Sequence, residues 1–368
     1  MQRIIEQQDE WLHPAANLPH WQESFYFNVV DPAAELLLVA RISVRPDGRG
    51  DGLVFALHRG RPVLLYPAIG VRVGVYAERG LVLAARGLRF TMLEPLVHWR
   101  LQLAGAGADV ALDWRALHPA VDYHDSEGEG LAGIAAHHFE QSGVARGALR
   151  LGGATIGVNG LGQRDKSWGA RAWSEIAGWD WINAFFGARL SVNLFRGPGP
   201  RAPIPCGYVH RDGATTPIFS AEVAYSRGGV KAPRFRQVQV TAHPADGEEL
   251  ILRGTPVGRF PLAYRGLWLE EVHARWVLEG RRARKSGEPA QACSAPHPDI
   301  YPASGARRDG EGLGPVRAPA VPEGERAPLQ GYGVVERAVH VGVGGTVRRL
   351  PDLLATGIQA VLKGGRGW

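Results

Sequence analysis

From residue 22 onward the chain alternates short apolar runs with turn residues. FYFNVV, ELLLVARISV, GLVFALH, PVLLYPA, GVRVGVYA, GLVLAARGLRFTML and WRLQLAG follow one another, joined by PDGRGDG, HRGRP and ERG. Runs this short, cut by Gly, Pro and Asp, describe antiparallel strands in a meander; a doubly wound sheet would need helical segments between them. ALDWRALHPAVDYHDSEGEGLAG, residues 111–133, interrupts the rhythm and reads as a connection. A second meander runs from AAHHFEQ through WDWINAFFGARLSVNLFRG, CGYVHRDG, FRQVQVTAHP, ELILRG and GLWLEEVHARWVLEG, and GYGVVERAVHVGV supplies a closing strand. The expected organisation is therefore an N-terminal β domain over 1–133 and a C-terminal β domain over 134–345. A flexible Gly/Pro/Arg-rich insertion occupies 279–329, and an amphipathic helix with a glycine stop occupies 346–368. Meanders of this length curl into barrels, which removes exposed edges. The fold class read from the pattern is all-β, two tandem antiparallel β-barrels, with β-sandwiches as the alternative.

One hairpin gathers chemistry. Gly152 and Gly153 lie between ALRL and ATIGV, a two-residue turn signal. If they form the turn, Leu151 opposes Ala154 and Glu140 faces Asp165. Because side chains alternate across a strand, His138, Glu140 and Ser142 then share a face with Gln163, Asp165 and Ser167. His137, Phe139, Lys166 and Trp168 take the other. Two carboxyls in one low-dielectric space cannot both ionise cheaply, so one keeps its proton and can act as a general acid. His138 would orient that proton or return it as a base. A bulge at any of the nearby glycines would instead send Asp165 to the opposite face, and a solvated face would leave two mildly repelling surface acids. A metal site built from His138, Glu140 and Asp165 is the weakest option, because the spacing matches no recognised ligand set.

Four of the 11 tryptophans, Trp168, Trp173, Trp179 and Trp181, crowd the segment after Asp165. In WDWINAFFG, alternation puts Trp179, Trp181, Asn183 and Phe185 on one face. With Trp168 they form a candidate wall for an apolar ligand, able to stabilise positive charge on carbon. Core packing alone also explains such aromatics. Glu23, among the aromatics of HWQESFYFN, is a candidate buried acid or a solvated edge residue. Arg164 and Arg171 flank DKSWG and would fix its geometry by pairing with Glu175 or Asp180.

The 368 residues exceed the size of one ordinary core, which supports two domains. A formal charge of +6 is concentrated in GRRARKSGEP and ASGARRDG, a solvated loop rather than a nucleic-acid surface. Cys206 and Cys293 lack the spacing of a disulfide or zinc framework. The N-terminal segment has no secretory pattern, and no apolar run approaches a membrane span. These features describe a cytoplasmic protein, with peripheral membrane contact left open.

HHFEQ, GLGQRDKSWGAR and the tryptophan-rich strand resemble the superfamily of carotenoid hydratases (hydroxyneurosporene synthases), AttH-like proteins and Diels-Alderase-type cyclases, in an uncharacterised bacterial branch. The resemblance implies two lipocalin-like barrels and cofactor-free chemistry on an apolar chain. The hydratase motif reads Y-x-D-x-N-x-G; here Gln163 replaces its tyrosine and Ser167 its asparagine, while Asp165 stands at the proton donor's position. His138 with Glu140 is the nearest match to an upstream histidine strand. The leading expectation is a cofactor-independent proton-transfer enzyme, a hydratase or dehydratase, isomerase or cyclase, on an isoprenoid-like alkene. Asp165 is the general acid in this reading, Glu140 its coupled partner and His138 the orienting group or base. The alternatives are a lipocalin-like carrier or sensor of a lipophilic ligand and, more weakly, a structural module.

Overall fold

The computed structural model describes residues 4–15, 18–77, 80–105, 107–123, 135–171, 173, 176, 178–196, 205–227, 234–264, 266–283 and 328–340. The expected C-terminal helix and most of the 279–329 insertion lie outside them. Twenty strands and one 3-10 turn, Gln7–Glu10, make up the described elements. None of the described segments is a helix long and apolar enough to cross a membrane.

The first sheet contains β1 (Trp21–Asp31), β2 (Leu36–Val44), β3 (Arg49–His58), β4 (Arg61–Arg72), β5 (Gly74–Tyr76), β6 (Val82–Ala85), β7 (Leu88–Glu94), β8 (His98–Gly105), β9 (Ala108–Ala116) and β10 (Val121–Asp122). It also contains the long hairpin of β11 (His137–Leu151) and β12 (Ala154–Ala170). Its order is β4-β3-β2-β1-β12-β11-β9-β8-β7-β6-β5, with β10 beside β11. The sheet rolls up: a Cβ on Gly52 of β3 would sit 3.0 Å from the Ala85 side chain of β6. The second sheet closes fully, from β13 (Gly178–Phe185) through β14 (Leu190–Arg196), β15 (Pro205–Arg211), β16 (Ala214–Arg227), β17 (Phe235–Pro244), β18 (Glu248–Tyr264) and β19 (Leu267–Ala283) to β20 (Leu329–His340), which pairs back with β13. Thus GYGVVERAVH, the described part of the expected closing strand, does close a barrel.

The expected division near residue 133 is corrected by this topology. The hairpin pairs with β1 and β9, so the chain leaves the first sheet only after Ala170. The physical reason is edge closure: β1 and β9 would otherwise each leave a ladder of backbone groups unpaired, and the hairpin fills the gap between them.

Each barrel is filled by its own side chains. Phe27 packs edge-on to Phe90 at 5.3 Å and Trp114 at 5.6 Å in the first. Leu194, Val240, Leu252 and Trp276 are fully or almost fully buried in the second. A third apolar cluster joins the outer walls of the two: Val30, Leu37, Val39, Phe55 and Leu57 meet Trp181, Phe195, Tyr208 and Phe260. Phe55 stacks on Phe260 at 4.2 Å. The barrels also touch backbone to backbone, since a Cβ on Gly258 would lie 2.7 Å from Gly60 Cα. This is why β1 is buried on both faces after its first residue; one face lines a barrel and the other the junction.

Candidate active site between the barrels

Gly152 and Gly153 turn the hairpin with φ of 52° and 90°, the left-handed pair that glycine adopts without strain. The register runs unbroken from Leu151 opposite Ala154 to His137 opposite Trp168, and Glu140 faces Asp165. The glycines therefore introduce no bulge here. Gly143 instead admits a ring: a Cβ there would be 2.2 Å from Trp114.

The acid-bearing face points out of the first barrel, into the junction with the second. Glu140 is completely buried, with Ser142 and Gln163; His138 and Ser167 are 5% exposed. Three N–H donors converge on Glu140 Oε2: Gln163 Nε2 at 2.8 Å, Trp181 Nε1 at 3.0 Å and Asn193 Nδ2 at 2.8 Å. Burial pushes the Glu140 pKa from 4.5 up to about 8, although these three donors pull it down; Glu336 adds repulsion. With Oε2 filled by donors, the proton that Glu140 holds at neutral pH belongs on Oε1. That oxygen is 3.1 Å from His138 Nε2.

The same His138 nitrogen lies 3.9 Å from Asp165 Oδ2. Asp165, 20% exposed, is the most accessible member of the group. Burial raises its pKa from 3.8 to about 6; His138 lowers it and Glu140 raises it. Its Oδ1 accepts no hydrogen bond among the described residues. Tyr123 stacks on His138 at 5.2 Å, and its hydroxyl donates to Asn193 Oδ1. Gln163 also donates to the Tyr208 hydroxyl at 2.7 Å, and Ser142 donates to Gln163 Oε1 at 3.0 Å. Burial, then the neighbouring Glu140, drives the Tyr208 pKa upward, so it stays neutral.

The second barrel adds another pair of acids. Glu271 and Glu336 are cross-strand partners on β19 and β20, and both are buried. Tyr26, beside Asp165 across β1 and β12, donates its hydroxyl to Glu271 at 3.3 Å. Trp179 Nε1 donates to Glu336. Burial, then Glu336, holds the Glu271 pKa well above the carboxylate range.

Of the expected wall, Trp181 and Trp179 reach these acids, and Trp181 meets Tyr26 edge-on at 5.0 Å. Asn183 and Phe185 share that face farther along; Asn183 Oδ1 accepts the Val334 N–H at 3.1 Å. Ser167 accepts from Arg171 at 3.0 Å.

Trp168 is corrected. It points to the first barrel's side, stacked on His13 at 3.9 Å and His137 at 4.8 Å, because it has the opposite strand parity to Asp165. Glu23 is the buried acid that the sequence offered, but it is corrected as a site residue for the same reason: it pairs with Lys166 at 2.7 Å, on the face away from the acids. Burial would raise the Glu23 pKa, but hydrogen bonds from His13 and the Lys166 charge bring it below the ordinary value. Arg164 pairs with Glu10 at 2.7 Å, and Asp180 takes Arg196 at 2.7 Å instead of either flanking arginine. Tyr26, Tyr123, Asn193, Tyr208, Glu271 and Glu336 escaped sequence reasoning. Glu271 and His273 alternate with Val272 and Ala274, a pattern that reads as a solvated face until the first barrel covers it.

No group of three His, Cys, Asp or Glu side chains among the described residues is arranged to hold a metal ion. Two side-chain-filled barrels, joined along outer walls that carry the buried acids, define a tandem lipocalin-like β-barrel fold. The chain belongs to the family described as a domain of unknown function, DUF7064, whose model matches residues 6–288. Its structure is similar to CghA with Sch210972 (TM-score 0.59, 11% identity, 88% of this chain and 89% of that one). It is also similar to kievitone hydratase from Nectria haematococca (TM-score 0.56, 10% identity, 91% and 93%). An AttH-like protein from Nitrosomonas europaea aligns with TM-score 0.56 at 14% identity, over 89% and 98%. None of the curated proteins matches the sequence.

Proposed function

We propose that the chain is a cofactor-independent proton-transfer enzyme, a hydratase or dehydratase, isomerase or cyclase, for an apolar alkene of isoprenoid type bound between the barrels. The observation that carries this reading is His138 Nε2, set 3.1 Å from Glu140 Oε1 and 3.9 Å from Asp165 Oδ2. Asp165 is the donor: its Oδ1 has no competing partner among the described residues, and its pKa of about 6 leaves a protonated fraction that is acidic enough to matter. Glu140, neutral up to about pH 8, holds the reserve proton that His138 passes on. Trp181 and Tyr26 offer ring faces to positive charge developing on carbon. A hydratase and CghA with its ligand on the same fold are consistent with chemistry at this junction.

The test begins with mass spectrometry of lipophilic molecules extracted from the purified protein, followed by incubation of the protein with those molecules in D2O. Deuterium on carbon or a product shifted by the mass of water is expected from wild type and not from Asp165→Asn. Binding with no exchange or product would overturn the enzymatic reading and leave a lipocalin-like carrier.

A further inference from the structure

The Glu271–Glu336 pair is not needed by the proton-donating half of the site, yet it is built into the same junction. Two buried carboxyls set against each other across β19 and β20 cannot both ionise cheaply, so the pair keeps one proton and one negative charge between them. It connects to the donor side through two rings. Tyr26 lies beside Asp165 and hydrogen-bonds Glu271. Trp181 donates to Glu140 and is the cross-strand neighbour of Glu336. Tyr26 and Trp181, in contact at 5.0 Å and 74°, thus stand between an acid centre on one barrel and an anionic centre on the other.

A second observation points to a ligand on the anionic side. His273 follows Glu271 by two residues on the same strand face and is 1% exposed. Neither of its ring nitrogens has a hydrogen-bond partner among the described residues. Burial lowers its pKa to about 4, so it is a neutral ring with one donor and one acceptor to offer. Asn183, fully buried on the same wall, spends its Oδ1 on the Val334 N–H and leaves its Nδ2 without a partner among the described residues. Buried donors and acceptors of this kind match a small hydroxylic molecule, which satisfies several polar groups at once.

We propose that Glu271 and Glu336, with His273 and Asn183, form the water-holding and proton-accepting half of the site. This assignment rests on the proton-transfer reading above. When Asp165 protonates the alkene, its O–H bond breaks and the π pair forms a C–H bond, leaving positive charge on the neighbouring carbon. Water held by Asn183 and His273 adds there; a C–O bond forms, and the water O–H electrons stay on oxygen as the Glu271–Glu336 carboxylate takes the proton. The sum is alkene plus water to alcohol, and the reverse sequence is dehydration. Glu140 returns a proton to Asp165 through His138, and solvent restores the Glu140 proton and removes the one on the pair, so no other reactant is required.

The test uses geranyltrimethylammonium, a permanent cation on an isoprenoid chain, and its neutral carbon isostere. Titration calorimetry is run first on Asp165→Asn protein, which lacks the donor's own charge. The cation is expected to bind about tenfold more tightly than the isostere. Adding Glu336→Gln should erase that preference while leaving the isostere's affinity, with Glu271→Gln as the second variant if the first does not fold. Equal affinity of both probes for the Asp165→Asn protein would overturn the anionic assignment and leave the proton donor intact. No binding of either probe to wild type would overturn the apolar-ligand reading beneath it.

Discussion

The two faces of the β11–β12 hairpin both bury polar side chains and treat charge in opposite ways. On the face toward the first barrel, Arg164 sits over Trp114 and Phe139 and meets both oxygens of Glu10 at 2.7 Å, while Lys166 meets Glu23 at 2.7 Å. Every charge there has a countercharge. On the face toward the second barrel, Glu140 receives only neutral N–H donors, and Asp165 has a histidine at 3.9 Å as its nearest basic group. Buried ion pairs fix structure; buried acids without a close countercharge keep their protons and can deliver them. One β-ribbon thus serves as a clamp on one side and, in the proposed function, as the reaction surface on the other.

The strongest way to break this comparison is to neutralise one residue on each face. Asp165→Asn should reduce deuterium incorporation by about 10²–10⁴-fold while the denaturation midpoint holds or rises. A large loss of stability would place Asp165 with the clamp. Arg164→Met should do the reverse, lowering unfolding free energy by about 3–5 kcal/mol in urea because Glu10 is left buried and uncompensated. Unchanged stability would show that the pair is dispensable.

The pH dependence sharpens the contrast. The unfolded chain releases the Glu140 proton near 4.5, but the native state holds it up to about 8. Across that window the native state binds more protons, so this group's contribution to stability is complete at low pH and is lost as pH rises through it. The loss is on the order of 5 kcal/mol, and Glu140→Gln should flatten that slope in denaturation curves measured from pH 5 to 9. Glu23, whose native pKa is lowered, has the opposite sign: its contribution is present above the unfolded value and is lost on acidification.

The smallest effect separates two tryptophans. Trp168→Phe should cost stability of about 0.5–1.5 kcal/mol through weakened stacking and leave geranyltrimethylammonium affinity unchanged. Trp181→Phe removes a donor from Glu140 Oε2 and should raise the Glu140 pKa further, read by the carboxylic C=O stretch in infrared titration. A Trp168 variant that weakens ligand binding would return that residue to the ligand wall.

The hairpin was legible because its determinants are local. Gly152-Gly153 admits the left-handed turn, and the turn alone sets Glu140 against Asp165. The tandem-barrel class was legible for a similar reason: closely spaced apolar runs and glycine turns leave few alternatives. Trp168 and Glu23 misled because aromatic and acidic character says nothing of which face meets the ligand; parity relative to Asp165 decides that. Glu271 was hidden because an acid alternating with Val272 looks solvated in a strand that has only one visible partner.

The sequence by itself determined the strands, their turns and the pairing of the two acids, since these depend on backbone conformation within a few residues. Only the tertiary structure decided which face of the hairpin meets the second barrel. That choice required the second barrel to cover His138, Glu140 and Asp165, remove water from them and bring Trp181, Asn193 and Glu271 to the same junction. Desolvation depends on what packs on top, and the residues that do so lie tens to more than a hundred positions away.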